Sequence, residues 1–199
     1  VMEMLVPPAE KKGSGRPVVG PTSRYKAVTA LADLKTGKVI PTYYVPALER
    51  HCLLTCAPIA RSATATSLEE IGATFDSGGN ITKMPQEGFE WDLGKEGDYY
   101  TFKYTEGGTT YQLIGCDQTQ GAAISTNLTG YKTYTGYQNT WKALENDLGI
   151  QMVTTANEAR YLYPYYDPDG AVPILVPTWR LAKVLQGGYF VFYYYEEIE

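Results

Sequence analysis

Residues 187–199 read GGYFVFYYYEEIE. From Tyr189 to Tyr195 every residue but Val191 is aromatic, and Glu196, Glu197 and Glu199 follow. In an extended chain successive side chains point to opposite faces. Phe190, Phe192 and Tyr194 therefore share one face, and Tyr189, Val191, Tyr193 and Tyr195 share the other. A strand apolar on both faces must be covered on both, because in the open it is a template for uncontrolled pairing. The three acids act as gatekeepers where that burial stops. Covering four of the rings stabilises by about 6–12 kcal/mol before entropy. Gln186-Gly187-Gly188 predicts a turn that folds this strand back on AVPILVPTWRLAKVL, residues 171–185, as a final hairpin. One face then joins the domain's own core. The other is expected to meet a neighbouring sheet, helix or subunit.

The rest of the chain supports a β-rich reading. The 199 residues contain 18 Tyr against 5 Phe and 3 Trp, with 20 Gly and 12 Pro. Tyr suits half-buried strands and interfaces, and abundant Gly and Pro give many turns and few long helices. DYYTFKYTEGGTTYQLIGCD, residues 98–117, has the clearest period of two: Tyr100, Phe102 and Tyr104 share a face, and Glu106-Gly107-Gly108 turns the chain. A first strand is expected from Tyr25 to Leu34. DLKTGKV then predicts a hairpin closed at Gly37, with a return strand from Lys38 to Val45 and a bulge or edge at Pro41. ALERHCLLTCA is either a short helix or a buried strand. TSLEEIG places Ser67 and Glu70 as a capping box before one helical turn that Gly72 ends. In NTWKALENDLGI, Trp141, Leu144 and Leu148 share a helical face, so this is the best helix. Thr155 with Glu158 offers another capping box. Residues 76–98 read as a loop with a short edge strand around Phe89 and Trp91.

Residues 1–22, VMEMLVPPAEKKGSGRPVVGPT, hold four Pro and three Gly and no period long enough to build a core. They are expected to form an extended N-terminal arm, and residues 23–199 a single β-rich domain. The expected fold is a mainly-β antiparallel sandwich of jelly-roll type with two or three short helices. An α+β fold with a bent antiparallel sheet is the alternative.

One local likeness concerns EARYLYPYYDPDGAVPILVPTWRL followed by GGYFVFYYY. This pair resembles the last hairpin of PepSY-like and protease-propeptide domains. The resemblance implies pairing of the two segments as a hairpin and assigns the chain to no family.

The net charge is −5, with one basic cluster at Lys11, Lys12, Arg16, Arg24 and Lys26. Neutralising many phosphates needs a basic face, so nucleic-acid binding is at most a weak contact through the arm. No apolar run is long enough for a membrane-spanning helix.

Catalytic constellations are weak. The single histidine, His51, stands beside Cys52, and neighbours on a strand point to opposite faces. Zinc would require His51, Cys52, Cys56 and Cys116 to converge, with a spacing that matches no paired-knuckle pattern. Cys52 and Cys56 would lie about 13 Å apart on a strand, too far for a disulfide, whereas Cys116 could pair with either. The turn at Asp167-Pro168-Asp169-Gly170 resembles part of a calcium loop, but Thr178 stands where the bidentate acid belongs. Glu90-Trp91-Asp92 sets an aromatic between acids, a pattern that suits a sugar cleft or a solvated edge. Asn80 and Asn127 head glycosylation triplets.

No catalytic, cofactor or metal site is therefore assigned. The expected role is a structural subunit of an assembly, a viral shell or spike or an extracellular filament or surface layer. Copies of the chain, and other subunits of the assembly, would be its partners. It would sit on a virion, outside the cell or at its surface, and associate through Met2, Met4, Leu5 and Val6 of the arm and Tyr189, Phe190, Phe192 and Tyr194 of the aromatic strand. The alternatives are a carbohydrate- or ligand-binding β-sandwich, stacking its ligand on Trp91, Tyr100 and Tyr104, and a carboxylate-dependent hydrolase.

Overall fold

A computed structural model describes residues 23–45, 49–56, 63–84, 89–115, 123–125, 138–155, 161–165, 174–178 and 189–198. Met2, Met4, Leu5 and Val6 lie outside these residues, as do Cys116, Asn127, Glu158 and the Asp167–Gly170 turn.

The described residues form fifteen strands, all paired antiparallel. In chain order the first seven are β1 (Ser23–Val28), β2 (Gly37–Val45), β3 (Arg50–Cys56), β4 (Ala63–Ser67), β5 (Thr74–Phe75), β6 (Ile81–Lys83) and β7 (Trp91–Glu96). Then come β8 (Tyr99–Glu106), β9 (Thr109–Ile114), β10 (Ala123–Ser125), β11 (Trp141–Asn146), β12 (Gly149–Thr154), β13 (Tyr161–Tyr165), β14 (Ile174–Thr178) and β15 (Phe190–Glu197).

β15 is a central strand. It pairs with β2 from Phe190 to Tyr193 and with β1 from Phe192 to Glu197, and Ile150 of β12 pairs with Phe190. The expected hairpin with residues 171–185 does not form among the described residues. β14 pairs instead with β13 and β4. The expected β1–β2 hairpin is likewise opened, because β15 lies between the two strands. The physical reason is burial. A strand apolar on both faces gains most at the centre of the sheet, where the chain itself covers both.

The pairings close a circuit of six strands, β2–β7–β8–β11–β12–β15 and back to β2. Each strand sends buried side chains into one core: Tyr43, Trp91, Phe102, Trp141, Met152 and Phe192 among them. A second core lies on the other face of β15. There Tyr189, Val191 and Tyr193 pack with Tyr25, Ile40, Leu53, Leu68 and Ile81. The two cores on opposite faces give the sandwich-like layering.

Turn chemistry fits the strand ends. Glu106 pairs with Thr109 across Gly107 and Gly108, whose φ of +59° and +80° suit a two-residue primed turn. Pro41 stands where β2 leaves β7, after Val39, and before it joins β3, at Thr42. A residue without an N–H is tolerated at such a changeover.

Helix is scarcer than expected. Among the described residues it amounts to one 3-10 turn, Leu31–Asp33. NTWKALENDLGI is a hairpin of β11 and β12 across Asp147-Leu148. Leu148, assigned to the helix's apolar face, is exposed in that turn, whereas every residue of β12 is buried. Burial of β12 between β11 and β15 outweighs the modest helix propensity of the segment. After β4, Gly72 donates to Glu69 and Ala73 to Leu68, the paired bonds of a helix C-terminus, with Gly72 left-handed at φ +83°. Ser67 does not cap this turn: it belongs to β4, and its buried hydroxyl has no hydrogen-bond partner.

Candidate functional site

The aromatic strand leaves its core function at its last turn of alternation. Tyr189, Phe190, Val191, Phe192 and Tyr193 are buried by the chain's own two cores. Tyr194 is half-buried and reaches a cleft of about 520 Å³ bounded by β1, the 3-10 turn and β15. Lys26, Asp33, Lys35, Tyr194, Tyr195 and Glu196 line it.

Register explains the assembly of this wall. Lys26 pairs with Tyr194 and Arg24 with Glu196 across the β1–β15 ladder. The turn after β1 then brings Lys35 back over the same ring. The Lys35 N–H donates to the Tyr194 hydroxyl at 3.0 Å, and that hydroxyl donates to the Lys35 carbonyl. The Lys35 ammonium sits 5.3 Å from the ring centroid. The turn is tied from the other side by Leu31, whose N–H donates to the Glu145 carboxylate at 3.1 Å. Burial pushes the Tyr194 phenol above its ordinary range, and its bond to the Lys35 backbone opposes that shift. The ring is thus a fixed platform at neutral pH, protonated and held in one orientation.

Charge in the cleft is mixed. Glu196 is matched by Arg24 at 2.6 Å, and Arg24 also reaches Asp76 at 4.0 Å. Among the described residues Lys26, Lys35 and Asp33 have no ion-pair partner. The site therefore offers donors and an acceptor around an aromatic face.

The other residues singled out in the sequence are placed elsewhere. Trp91 is fully buried and meets Tyr104 edge-on at 4.8 Å. Tyr104 stacks on Tyr111, and Tyr100 carries Lys95 over its ring at 5.0 Å. Trp91, Tyr100 and Tyr104 belong to the first core, with no exposed face for a ligand. Asp92 pairs with Lys38 at 2.8 Å while Glu90 is buried. β7 is not an edge, since β2 and β8 flank it.

His51 and Cys52 point to opposite faces of β3. Cys52 is in the first core, where burial pushes its thiol up to about 12 and Glu70 adds to the shift. Such a thiol is inert. His51 packs on the other face against Tyr44, 5.3 Å between centroids, and Tyr189, 6.0 Å. Asn80 is engaged: its amide donates to Asp76 at 3.2 Å and its carbonyl accepts from Ala27 at 2.9 Å. Lys26, Asp33, Lys35 and Glu196 carry no motif in the sequence. The β1–β15 register and the turn after β1 bring them together.

No protein-family model matches the chain, and no curated protein does. Among solved structures it is similar to one described as "Botulinum Neurotoxin Type G Receptor Binding Domain", with a TM-score of 0.50 and 7% identity. The match covers 96% of this chain and 47% of that one, so the chain spans about half its length. At that identity the likeness shows the fold alone: a mostly antiparallel β scaffold.

Proposed function

We propose that this chain is a non-enzymatic binding module that takes a carbohydrate or a similar polar ring in the Tyr194 cleft. The observation that carries the reading is the pinned Tyr194 ring, with Lys26, Asp33 and Lys35 placed around it. A sugar presents an apolar ring face edged by hydroxyls, and this cleft pairs an aromatic face with charged hydrogen-bonding groups. Because the ring is held before any ligand arrives, little ordering entropy is lost on binding. Lys35 covers the ring in the free protein. An exposed cation–π contact is worth about 0.5–1 kcal/mol, so a ligand displaces it at small cost. Receptor binding is in the printed name of the similar structure, but fold alone does not carry function. The weight rests on the cleft. A binding module of this kind belongs at a cell or particle surface.

A glycan array, followed by titration of its hits, tests this reading. Tyr194→Ala is expected to weaken binding by about tenfold or more, the effect of losing roughly 1.4 kcal/mol. Tyr194→Phe keeps the ring but loses the hydroxyl's tie to Lys35, so its affinity should fall between those of wild type and Tyr194→Ala. An array without hits, or hits indifferent to Tyr194→Ala, would remove the proposal.

A second reading, the assembly subunit, is favoured by one observation. β5 ends the ladder among the described residues, and Phe75 on it is 40% exposed. An uncovered edge is a place where a strand from a neighbouring copy adds. Residues 2–6, MEMLV, supply a sequence of suitable apolar chemistry. Light scattering on the full chain and on residues 23–199 decides it: a monomer in both forms at every concentration excludes assembly.

A further inference from the structure

The cations around the Tyr194 cleft are freer than its anions. Glu196 is held by Arg24 at 2.6 Å, and Glu145, beside the 3-10 turn, accepts the Leu31 N–H at 3.1 Å. Asp33 is left as the one carboxylate in the cleft's lining without an ion pair. Against it stand Lys26 and Lys35, both exposed and both without an ion-pair partner among the described residues. A third cation stands at the same end of the sheet. The β2–β7 ladder pairs Gly37 with Leu93, and Lys35 and Lys95 each lie two residues beyond that pair in the same direction. Lys95 is exposed too, and its ammonium sits 5.0 Å from the Tyr100 centroid, as that of Lys35 sits 5.3 Å from the Tyr194 centroid. Neither ammonium has a carboxylate within ion-pair distance among the described residues; each rests on a ring instead. A ring face is a weaker partner for an ammonium than a full anion. Three unmatched cations in one place also run against the chain's net charge of −5. Neighbouring like charges repel, and an anion placed among them relieves that repulsion.

Resting on the carbohydrate reading of this cleft, we propose that its ligand is an acidic saccharide, one whose ring carries a carboxylate or a sulfate group. The sugar ring would stack on Tyr194, and its hydroxyls would donate to Asp33. Lys35 and Lys26 would hold the anionic group at the edge of the ring, and Lys95 would add attraction from farther off. Lys35 then changes partner on binding, from the ring to the ligand's anion. Both bonds that fix the Tyr194 hydroxyl are made with the Lys35 backbone, so the platform stays in place while the Lys35 side chain moves.

The experiment is an NMR titration of the full chain with two matched pairs of sugars: methyl glucuronide against methyl glucoside, and sulfated against plain N-acetylglucosamine. Sodium acetate and sodium sulfate at matched ionic strength are the controls. In at least one pair the acidic member is expected to bind about fivefold more tightly at low salt, with a Kd on the order of 1 mM. The preference should shrink as sodium chloride is raised to about 0.5 M. Lys35→Gln should cut it to about twofold or less. That effect is read as a ratio of two affinities, so a general loss of binding does not imitate it. The pair with the larger preference tells a carboxylate from a sulfate. Equal affinities within both pairs, lost together in Tyr194→Ala, overturn the acidic ligand and leave the carbohydrate reading standing. No saturable shift with any sugar removes both. A preference that survives Lys35→Gln, or shifts that acetate or sulfate alone reproduces, also overturns the proposal.

Discussion

Gly149 has no room for a methyl group. A Cβ there would stand 2.6 Å from the Phe190 carbonyl oxygen and 2.6 Å from the Tyr189 ring. The first of these is backbone and cannot swing aside. Gly149→Ala is therefore expected to destabilise by about 1–3 kcal/mol, read as a lowered denaturation midpoint in urea. His51 makes a different prediction. Burial lowers its pKa in the folded chain, while in the unfolded chain it titrates near about 6.5. Above that value both states are neutral. Below it the unfolded chain takes up a proton that the folded one resists, so stability falls on acidification down to the folded pKa. Melting temperatures of wild type and His51→Phe, compared from pH 8 downward, should diverge as the pH drops through about 6.5, with the variant less acid-sensitive. Tyr193 works at the other end. Burial pushes its phenol up to about 12 and raises that of Tyr43 as well, so absorbance titration should show more than one tyrosinate forming well after the exposed phenols.

At the level of elements, periodicity revealed strands but not their partners. Tyr100, Phe102 and Tyr104 alternate with more polar neighbours, and they do line one core. In β15 the alternation is between two apolar sets, so its two buried faces could be read directly. Its neighbours could not, because the hairpin reading relied on proximity in sequence, and β1 and β2 lie nearly the whole chain away. The β11 segment misleads for a related reason. Trp141, Leu144 and Leu148 fit a helical period, yet the deciding partner is the wholly buried β12, whose environment is tertiary. The cleft was illegible for the same cause, since Lys26 faces Tyr194 only through the ladder. Phe192 shows what β15 holds in place. It is fully buried, stacked with Phe190 at 5.7 Å and with Phe102 at 6.1 Å. Phe192→Ala should cost about 3–5 kcal/mol, measured by chemical denaturation.

For the whole molecule, both cores meet at one strand. Phe190 and Phe192 serve one and Tyr189, Val191 and Tyr193 the other, so neither core is complete without β15. A chain ending at residue 188 should therefore lose both together. Circular dichroism and hydrogen exchange are expected to show a broad loss of protection, not a local defect. The same arrangement sets the folding rate. Arg24 bonds Glu196 across 172 positions of chain, and closing such a loop must precede its reward.

During synthesis this order of events has a further meaning. β1 and β2 leave the ribosome early, each with an edge that only β15 will occupy. Until β15 arrives that edge has no final partner, and the apolar faces beside it depend on provisional cover. A nascent chain interrupted anywhere before Tyr189 is thus marked as unfinished by its own exposed strands, ready for chaperones or proteases. The aromatic strand works as a completion signal: the fold locks only when β15 has been made.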